Sequence, residues 1–258
     1  MSDDVLYSVT AGIARITFSR PAQRNAFTFA MYERLAEICA AVDADDSIRA
    51  MILTGAGDKA FAAGTDIAAF EHVRTAEDGL AYEARIDRVL GALERCRVPV
   101  IAAIAGACTG GGAAIAACCD LRIATADLKF GFPIARTLGN CLSISNYARL
   151  FSLLGPAKTK EMIFLAQLAN AEDARALGIV SEILPDHASL MARAAEMAQI
   201  AANHAPLTLR ATKEALRRIT ASLAPDGADL IGLCYASADF REGRAAFLEK
   251  RKPEWKGR

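Results

Sequence analysis

Residues 98–120 read VPVIAAIAGACTGGGAAIAACCD, an apolar run that turns at Gly106 and again at three consecutive glycines, residues 110–112. No acidic or basic side chain occurs in the run before Asp120. The first half is typical of a strand buried on both faces, and the segment after the glycines is typical of a buried helix. Small residues at a helix N-terminus let backbone N–H groups approach a ligand oxygen, where the helix dipole adds partial positive charge. The stretch therefore predicts a strand–turn–helix unit that holds an anion or an oxygen that becomes anionic.

A second loop of small residues precedes this unit. The sequence IRAMILTG predicts a strand that ends at Gly55, and KAFAAGTDI follows it as residues 59–67. Two backbone amides, one from each loop, would form an oxyanion hole if they converged on one oxygen, and losing one such donor costs ~3 kcal/mol. The glycine triplet alone is equally consistent with a tight turn where helix packs on strand. Its spacing from Gly106 does not give the G-x-G-x-x-G dinucleotide pattern, and the sequence has no G-x-S-x-G nucleophile elbow.

The rest of the chain alternates strand and helix patterns. Residues 6–20 predict a β-hairpin that turns at Ala11-Gly12, and Thr28 is a suitable N-cap for the helix that follows. Residues 81–96 have the spacing of an amphipathic helix, and residues 120–130 resemble a strand. After residue 140 the pattern is mostly helical, apart from a short strand at 180–184. This order predicts an α/β fold with a helical C-terminal extension.

Composition excludes several classes of protein. The 258 residues include 30 basic and 30 acidic side chains, so the net charge of +0 argues against non-specific nucleic-acid binding, although the tail EKRKPEWKGR is locally basic. No apolar run is long enough for a membrane span, and the acidic N-terminus is not that of a signal peptide. The seven cysteines form no metal-ligand spacing, which favours reduced thiols and a cytoplasmic location. We expect neither a metal, a nucleic acid nor a membrane as partner.

Five stretches resemble the crotonase superfamily, the enoyl-CoA hydratase/isomerase family, in the order in which that family has them. They are RPAQRNAF (20–27), DKAFAAGTDI (58–67), residues 98–133, AEDARALGIVSEILP (171–185) and DFREGRAAFLEKRKPEWKG (239–257). The resemblance implies a spiral of strand-strand-helix units over residues 1–200 and a helical, oligomerisation segment over 201–258. It also implies a homotrimer or homohexamer, an acyl-CoA thioester as substrate, no permanently bound cofactor and a role in fatty acid metabolism.

The resemblance also implies a set of site residues. The oxyanion-hole amides would come from Thr65 and Gly111, which contribute backbone groups whatever their side chains. The coenzyme A part of the substrate would contact residues of the first loops. It would also contact Phe247 and Lys250 of the C-terminal helix, from the same or a neighbouring subunit. These residues are Ala22, Arg24, Ala26, Lys59, Ala63, Asp66, Ile67, Phe247 and Lys250. Several have plain alternatives: Asp66 as a helix N-cap, Lys59 and Lys250 as solvated surface charges, and Phe247 as helix packing.

The chain departs from the family at the two proton-handling positions. Family hydratases have glutamates where this sequence has Ala114 and Ile134, and neither of these side chains transfers protons. Nearby candidates are Arg136, to clamp a carboxylate or form a salt bridge, and Asn140, to orient water or cap a helix. Cys141 is a candidate nucleophile, but a buried inert thiol is the better interpretation.

Three more polar residues lie on the helices after the first loop. Glu71, His72 and Glu83 are within reach of the acyl pocket in this family, although solvated helix faces are the default interpretation for all three. A bound small anion is a further substitute for the missing carboxylates. We therefore expect an acyl-CoA enzyme that stabilises a thioester enolate, with trans-2-enoyl-CoA hydration as the first hypothesis. The alternatives are isomerisation, decarboxylation or thioester hydrolysis, and a catalytically silent acyl-CoA-binding protein.

Overall fold

A computed structural model describes residues 4–258. These residues form nine strands: β1 (Val5–Thr10), β2 (Ile13–Phe18), β3 (Ala50–Gly55), β4 (Ala60–Ala62), β5 (Val100–Ile104), β6 (Ala107–Thr109), β7 (Leu121–Thr125), β8 (Lys129–Gly131) and β9 (Glu182–Leu184). The predicted hairpin is confirmed: β1 and β2 pair antiparallel around Ala11-Gly12, where both residues adopt positive φ.

The same part of the chain contains ten α-helices. They are α1 (Phe29–Ala44), α2 (Ala76–Arg95), α3 (Gly111–Cys118), α4 (Ile134–Thr137), α5 (Ile144–Phe164), α6 (Ala171–Ala176), α7 (His187–Ala202), α8 (Pro206–Ala221), α9 (Ala228–Tyr235) and α10 (Ala238–Leu248). Thr28 caps α1 as predicted, with its side chain accepting from the Met31 N–H at 3.3 Å. Helix α5 is interrupted at Gly155, which precedes Pro156.

The strands form two sheets, and α/β is confirmed as the fold class. The larger sheet has the order β1-β2-β3-β5-β7-β9, and every pairing after the hairpin is parallel. The smaller sheet has the order β4-β6-β8, also parallel. Strands β3 and β5 belong to the larger sheet, and each is followed along the chain by a strand of the smaller sheet, β4 and β6 respectively. This alternation places the ends of β4 and β6 side by side, and the two small-residue loops follow them.

Strands β3 and β5 are buried along their whole length, which explains their uninterrupted apolar sequences. One face of the larger sheet packs against α7, where Leu190, Ala194 and Ala198 contact residues such as Ile52 and Ile101. The opposite face belongs to the main core, which contains Leu53, Ala102 and Ile104 together with apolar residues of α1, α2 and α3. The site described below lies on this second side.

The C-terminal helices pack onto the core. Helix α9 crosses α2 at Gly79, where an added Cβ would lie 2.5 Å from the Tyr235 Cβ. Tyr235 on α9 and Phe240 on α10 are fully buried. The division of the chain at residue 200 into a core and an oligomerisation segment stays a prediction.

Candidate active site

The two predicted loops meet at one edge of the smaller sheet. Strands β4 and β6 are parallel neighbours, with Ala62 opposite Cys108, so their carboxyl ends carry both loops to the same place. The first loop continues through Gly64 to Thr65, and the second continues through Gly110 into α3. An added Cβ on Gly111 would lie 3.4 Å from the Thr65 backbone nitrogen, which shows how closely the loops approach.

The backbone amides of Thr65 and Gly111 have no protein acceptor among the hydrogen bonds of residues 4–258. The neighbouring amides are used: Asp66 donates to the Phe27 carbonyl at 2.8 Å, and Gly110 donates to the Gly131 carbonyl at 3.0 Å. Gly111 is also the first residue of α3, where the helix dipole favours negative charge. Two free N–H groups on adjoining loops are the donors that an oxyanion hole requires.

Each glycine of the triplet is required for a different reason. Gly110 has φ +52° and ψ −120°, a conformation that L side chains rarely adopt. At Gly112 an added Cβ would lie 2.3 Å from the Ala62 carbonyl oxygen, so the close packing of α3 on β4 excludes any side chain. At Gly111 it would lie 2.2 Å from the Tyr32 hydroxyl oxygen. The triplet is thus a tight turn that leaves the Gly111 N–H without a protein acceptor, so the turn interpretation does not exclude the predicted amide site.

Three hydroxyl groups gather beside Gly111. The Tyr32 hydroxyl lies 2.9 Å from Thr65 Oγ1, and the Tyr82 hydroxyl donates to the same oxygen at 3.1 Å. Burial raises the pKa of both tyrosines, so both keep their protons at neutral pH. Three O–H groups make two hydrogen bonds here, which leaves one hydroxyl proton on Thr65 or Tyr32 for a ligand oxygen. Tyr32 and Tyr82 carry no site signal in the sequence, because both occupy apolar positions in helical patterns.

A cavity of about 170 Å³ opens from the two amides. Most of its wall is apolar, from residues such as Ile67, Phe70, Ile86 and Leu142. Ala114 and Ile134 also line the cavity, so apolar side chains occupy the two positions at which family hydratases have glutamate. Glu83 is the only carboxyl group among the described residues of the wall. The default interpretation of Glu83 as a solvated residue is therefore wrong.

Glu83 is only 4 % exposed, on the side of α2 that faces the core. The Tyr235 hydroxyl donates to Oε1 at 2.5 Å, and the Ser143 backbone N–H donates to Oε2 at 3.1 Å. Burial, partly offset by the Tyr235 hydrogen bond, raises the pKa of the Glu83 carboxyl to about 7, with a smaller upward contribution from Asp87. A clue existed in the sequence, since Glu83 is in register with Ile86 and Leu90 on the apolar stripe of α2.

Asn140 also lines the cavity. Its Nδ2 donates to the Cys141 carbonyl at 3.2 Å and to the Tyr235 hydroxyl at 3.4 Å, while its buried Oδ1 has no partner. The alternative role of Asn140 as a helix cap is wrong, because α5 begins at Ile144 and the Ser143 hydroxyl accepts from the Asn146 N–H. A buried amide oxygen without a donor normally indicates a site for water or a ligand.

The structure does not bring Arg136 into the cavity. Its side chain is exposed on α4, which turns Ile134 inward and Arg136 outward, and it is absent from the described lining residues. Glu71 and His72 are exposed as well. The Cys141 thiol is buried, donates to the Leu230 carbonyl at 3.4 Å and has a raised pKa, as expected of an inert cysteine. None of these groups faces the two amides.

The residues predicted to contact coenzyme A divide into two groups. Ala63, Ile67 and Phe247 line the cavity. The others form its surroundings or lie on the surface: Ala22, Arg24, Lys59 and Lys250 are exposed, Ala26 is half-buried, and Asp66 caps the 3₁₀ turn Ile67–Phe70.

Main-chain hydrogen bonds join the two predicted coenzyme A segments. The Ala63 N–H donates to the Arg24 carbonyl at 3.0 Å, and the Phe27 N–H donates to the Gly64 carbonyl at 2.8 Å. The Arg20 guanidinium adds a link by donating to the Ala26 carbonyl and to Asp66 Oδ2. Residues 22–26 and 63–67 therefore form one surface beside the cavity.

The family model for enoyl-CoA hydratase/isomerase matches residues 8–258. The chain belongs to this family. It is 33% identical over 257 residues to the short-chain-enoyl-CoA hydratase of Clostridium acetobutylicum, covering 98% of this chain and 97% of the relative. Its fold is similar to an enoyl-CoA hydratase/carnithine racemase from Magnetospirillum magneticum, with a TM-score of 0.81, 34% identity and coverage of 100% and 97%. A methylmalonyl-CoA decarboxylase structure gives a TM-score of 0.89 at 26% identity, with both chains covered completely. The crotonase-type fold expected from the resemblance is confirmed.

Within residues 4–258, no cluster of three or more His, Cys, Asp or Glu side chains could hold a metal ion. In the same range, no helix combines the length and the apolarity needed to cross a bilayer.

The raised pKa of Glu83 predicts a stability change with pH. Between about 4.5 and about 7, the carboxyl is ionised in the unfolded chain but protonated in the folded protein. Its contribution to folding is therefore complete below this window and is lost as pH rises through it, by roughly 3 kcal/mol in total. We expect Glu83→Gln to raise the melting temperature relative to the parent protein at pH 8 but much less at pH 5. A difference that did not change with pH, measured by thermal denaturation, would contradict the raised pKa.

Proposed function

We propose that this family member is an acyl-CoA enzyme that hydrates trans-2-enoyl-CoA thioesters. The observation that supports this proposal most strongly is that the backbone amides of Thr65 and Gly111, which have no protein acceptor within residues 4–258, lie at the mouth of an apolar cavity. The name of the Clostridium relative, a short-chain-enoyl-CoA hydratase, supports the same reaction. The cavity of about 170 Å³ suits a short acyl chain.

The two amides would act on the thioester carbonyl. When water adds to the β-carbon of an enoyl thioester, negative charge moves to the carbonyl oxygen and forms an enolate. Donors fixed in advance at that oxygen stabilise this charge more than the neutral ground state, which is the condition for catalysis. The remaining hydroxyl proton of the Thr65–Tyr32 pair is a third donor at the same place.

The coenzyme A part of the substrate would lie along the joined segments 22–26 and 63–67. Arg24, Lys59 and Lys250 offer exposed cations for its phosphates, and Phe247, at the cavity edge, offers an aromatic surface. Coenzyme A arrives with the substrate, and we propose no permanently bound cofactor.

The assembly would be a homotrimer or homohexamer. Supporting this, apolar residues of α5 and α9 line a second, open groove of about 820 Å³, and several of them are exposed, including Phe164 at 74 % and Leu233 at 73 %. Patches of this kind on one chain usually mark a protein interface. The seven free cysteines support a reducing, cytoplasmic location, and the acyl-CoA substrate supports a role in fatty acid metabolism.

A second candidate is decarboxylation of a carboxyacyl-CoA. The similarity to the methylmalonyl-CoA decarboxylase structure favours it, and that reaction also forms an enolate at the thioester. It requires no activated water, so the loss of both family glutamates would matter less.

The test is turnover by the purified protein of trans-2-enoyl-CoAs of short and medium chain length, followed at the absorbance of the conjugated thioester. A malonyl-type thioester and a 3-enoyl-CoA in the same panel, with product masses, separate decarboxylation and isomerisation from hydration. We expect hydration of the short substrates. Binding of thioesters without turnover of any panel member would instead identify a silent acyl-CoA-binding protein.

A further inference from the structure

We infer that Glu83 is the proton-transfer residue of this site, in place of the two family glutamates that became Ala114 and Ile134. This inference rests on the proposed acyl-CoA function. It assigns a catalytic role to a carboxylate on a different helix, α2, which reaches the same cavity from another side.

The first observation is placement. Glu83 shares the cavity with Gly111, Ala114 and Ile134, and the described lining residues include no other carboxyl group. Tyr82, its neighbour on α2, donates to Thr65 Oγ1 beside the amide site. The same turn of helix α2 therefore supports the loop of the oxyanion hole and carries the carboxylate.

The second observation is that, within residues 4–258, Glu83 forms no ion pair. The buried cation Arg149 pairs instead with two other acids of α2: it contacts Asp87 at 3.1 Å and Glu94 at 2.9 Å. Glu83 receives two neutral donors, the Tyr235 hydroxyl and the Ser143 N–H, which occupy two of about four lone-pair positions. A buried carboxylate without an ion pair is costly, and such groups concentrate at functional sites.

The third observation is a second acceptor without a donor in the same hydrogen-bond network. Asn140 Oδ1 is buried and has no donor, while Asn140 Nδ2 contacts the same Tyr235 hydroxyl that holds Glu83. In the proposed step, the reacting water donates one proton to a Glu83 oxygen and the other to Asn140 Oδ1. A water held this way keeps its oxygen lone pair free for the β-carbon.

The step balances with a single carboxylate. Glu83 in its ionised form takes one proton from water as the water oxygen bonds to the β-carbon and the double-bond electrons move to the thioester oxygen. The enolate held by the Thr65 and Gly111 amides then collapses, and protonated Glu83 gives the same proton to the α-carbon. Water has been added across the double bond, and the carboxylate is regenerated without an external acid or base.

Glu83→Gln tests the assignment, with Glu77→Gln, an exposed position of the same helix, as its matched control. We expect Glu83→Gln to lower kcat for enoyl-CoA hydration ~10²–10⁴-fold and to leave acyl-CoA binding near that of the parent protein. The Glu77→Gln variant keeps parent activity. A Glu83→Gln variant that keeps more than half of the parent kcat overturns the role of Glu83 and leaves the proposed function intact.

A second measurement separates the two hypotheses when hydration is absent. Deuterium exchange at the α-carbon of a saturated acyl-CoA in D₂O requires the amides and a base but no addition of water. If the parent protein exchanges but does not hydrate, and Glu83→Gln abolishes exchange, the assignment of Glu83 stands and the hydratase reaction fails. If the parent protein neither hydrates nor exchanges any thioester, both fail.

Tyr235 is a positioning residue in this scheme, because its hydroxyl touches Glu83 and not the cavity. The carboxyl must be ionised to start the reaction, so kcat/KM should rise with pH through the titration of Glu83, near 7. The Tyr235 hydrogen bond lowers this pKa, so Tyr235→Phe should move the rise to higher pH. An unshifted pH profile with merely reduced activity would show that Tyr235 is only structural.

Apart from the Cys234 thiol, whose pKa a hydrogen bond with Cys141 lowers to about 7, the other ionisable groups around Glu83 do not account for such a profile. They are Asp87 on its own helix, Tyr32 on α1, Tyr82 on α2, Cys141 before α5, Tyr147 on α5 and Tyr235 on α9. The tyrosines and Cys141 have raised pKa values and stay protonated near pH 7. Asp87 is paired with Arg149.

Discussion

Gly111→Ala is expected to lower kcat/KM for acyl-CoA turnover by ~10²–10³-fold, the usual effect of losing one oxyanion-hole donor. The added Cβ would lie 2.2 Å from the Tyr32 hydroxyl oxygen and 2.9 Å from Thr65 Oγ1. Tyr32 is fully buried and cannot move aside cheaply, so the start of α3 must shift away from Thr65. The two amides would then no longer be held at one oxygen. Steady-state kinetics with a short enoyl-CoA measures the loss.

Gly232→Ala is the matched control for this substitution. Gly232 lies within α9, and its added Cβ would meet only the Ala76 Cβ at 3.5 Å, an ordinary contact. Alanine also favours a helix over glycine, so this variant should be active and at least as stable as the parent protein. If Gly111→Ala kept the parent kcat/KM, the Gly111 amide would not be a catalytic donor.

Arg149→Met is expected to lower the free energy of unfolding by about 3 kcal/mol, the lower end of the range for removing one partner of a buried ion pair. The Arg149 side chain is 8 % exposed, whereas its partners Asp87 and Glu94 are partly exposed and would be partly rehydrated. Removing the guanidinium leaves two half-buried acids of α2 without their shared cation. Urea denaturation of both proteins at one protein concentration measures the difference.

Arg218→Met provides the comparison, since Arg218 is 74 % exposed and pairs only with Glu214 one turn away. Exposed pairs of this kind contribute 0 to ~1 kcal/mol. Arg149→Met should also reduce activity, because the Ser143 hydroxyl donates to Asp87 while the Ser143 N–H holds Glu83. Equal stability of the two variants would show that the ion pairs of Arg149 with Asp87 and Glu94 do not stabilise the fold.

The parts of the fold that could be predicted from the sequence depend on local signals. The turn at Ala11-Gly12 and the cap at Thr28 follow from residues within a few positions of each other. The glycine triplet likewise predicted a helix start at α3. The sequence alone did not show which polar residue caps α5. The cap is Ser143 and not Asn140, because the exact start of the helix decides which side chain meets a free N–H.

The candidate site could be predicted only in part. The loops with Thr65 and Gly111 are recognisable because both follow apolar strands and both need small residues. Arg136 and Glu83 are both charged residues in helical patterns, but one faces solvent while the other is buried, and the apolar register of Glu83 is a much weaker signal than a glycine loop. Their orientation depends on which helices pack against α4 and α2.

The α/β class and the two amide loops could be predicted from the sequence, since strand and helix periodicities and glycine requirements act over a few residues, and the family followed from the resemblance of five stretches. Only the tertiary structure decided that Glu83 is a buried carboxyl in the cavity. Its hydrogen-bond partner, Tyr235, lies 152 positions away along the chain. Helix α9 crosses α2 at Gly79 and brings the two side chains together while it excludes water. A pKa depends on that desolvation and on those partners, and both exist only after distant helices have packed.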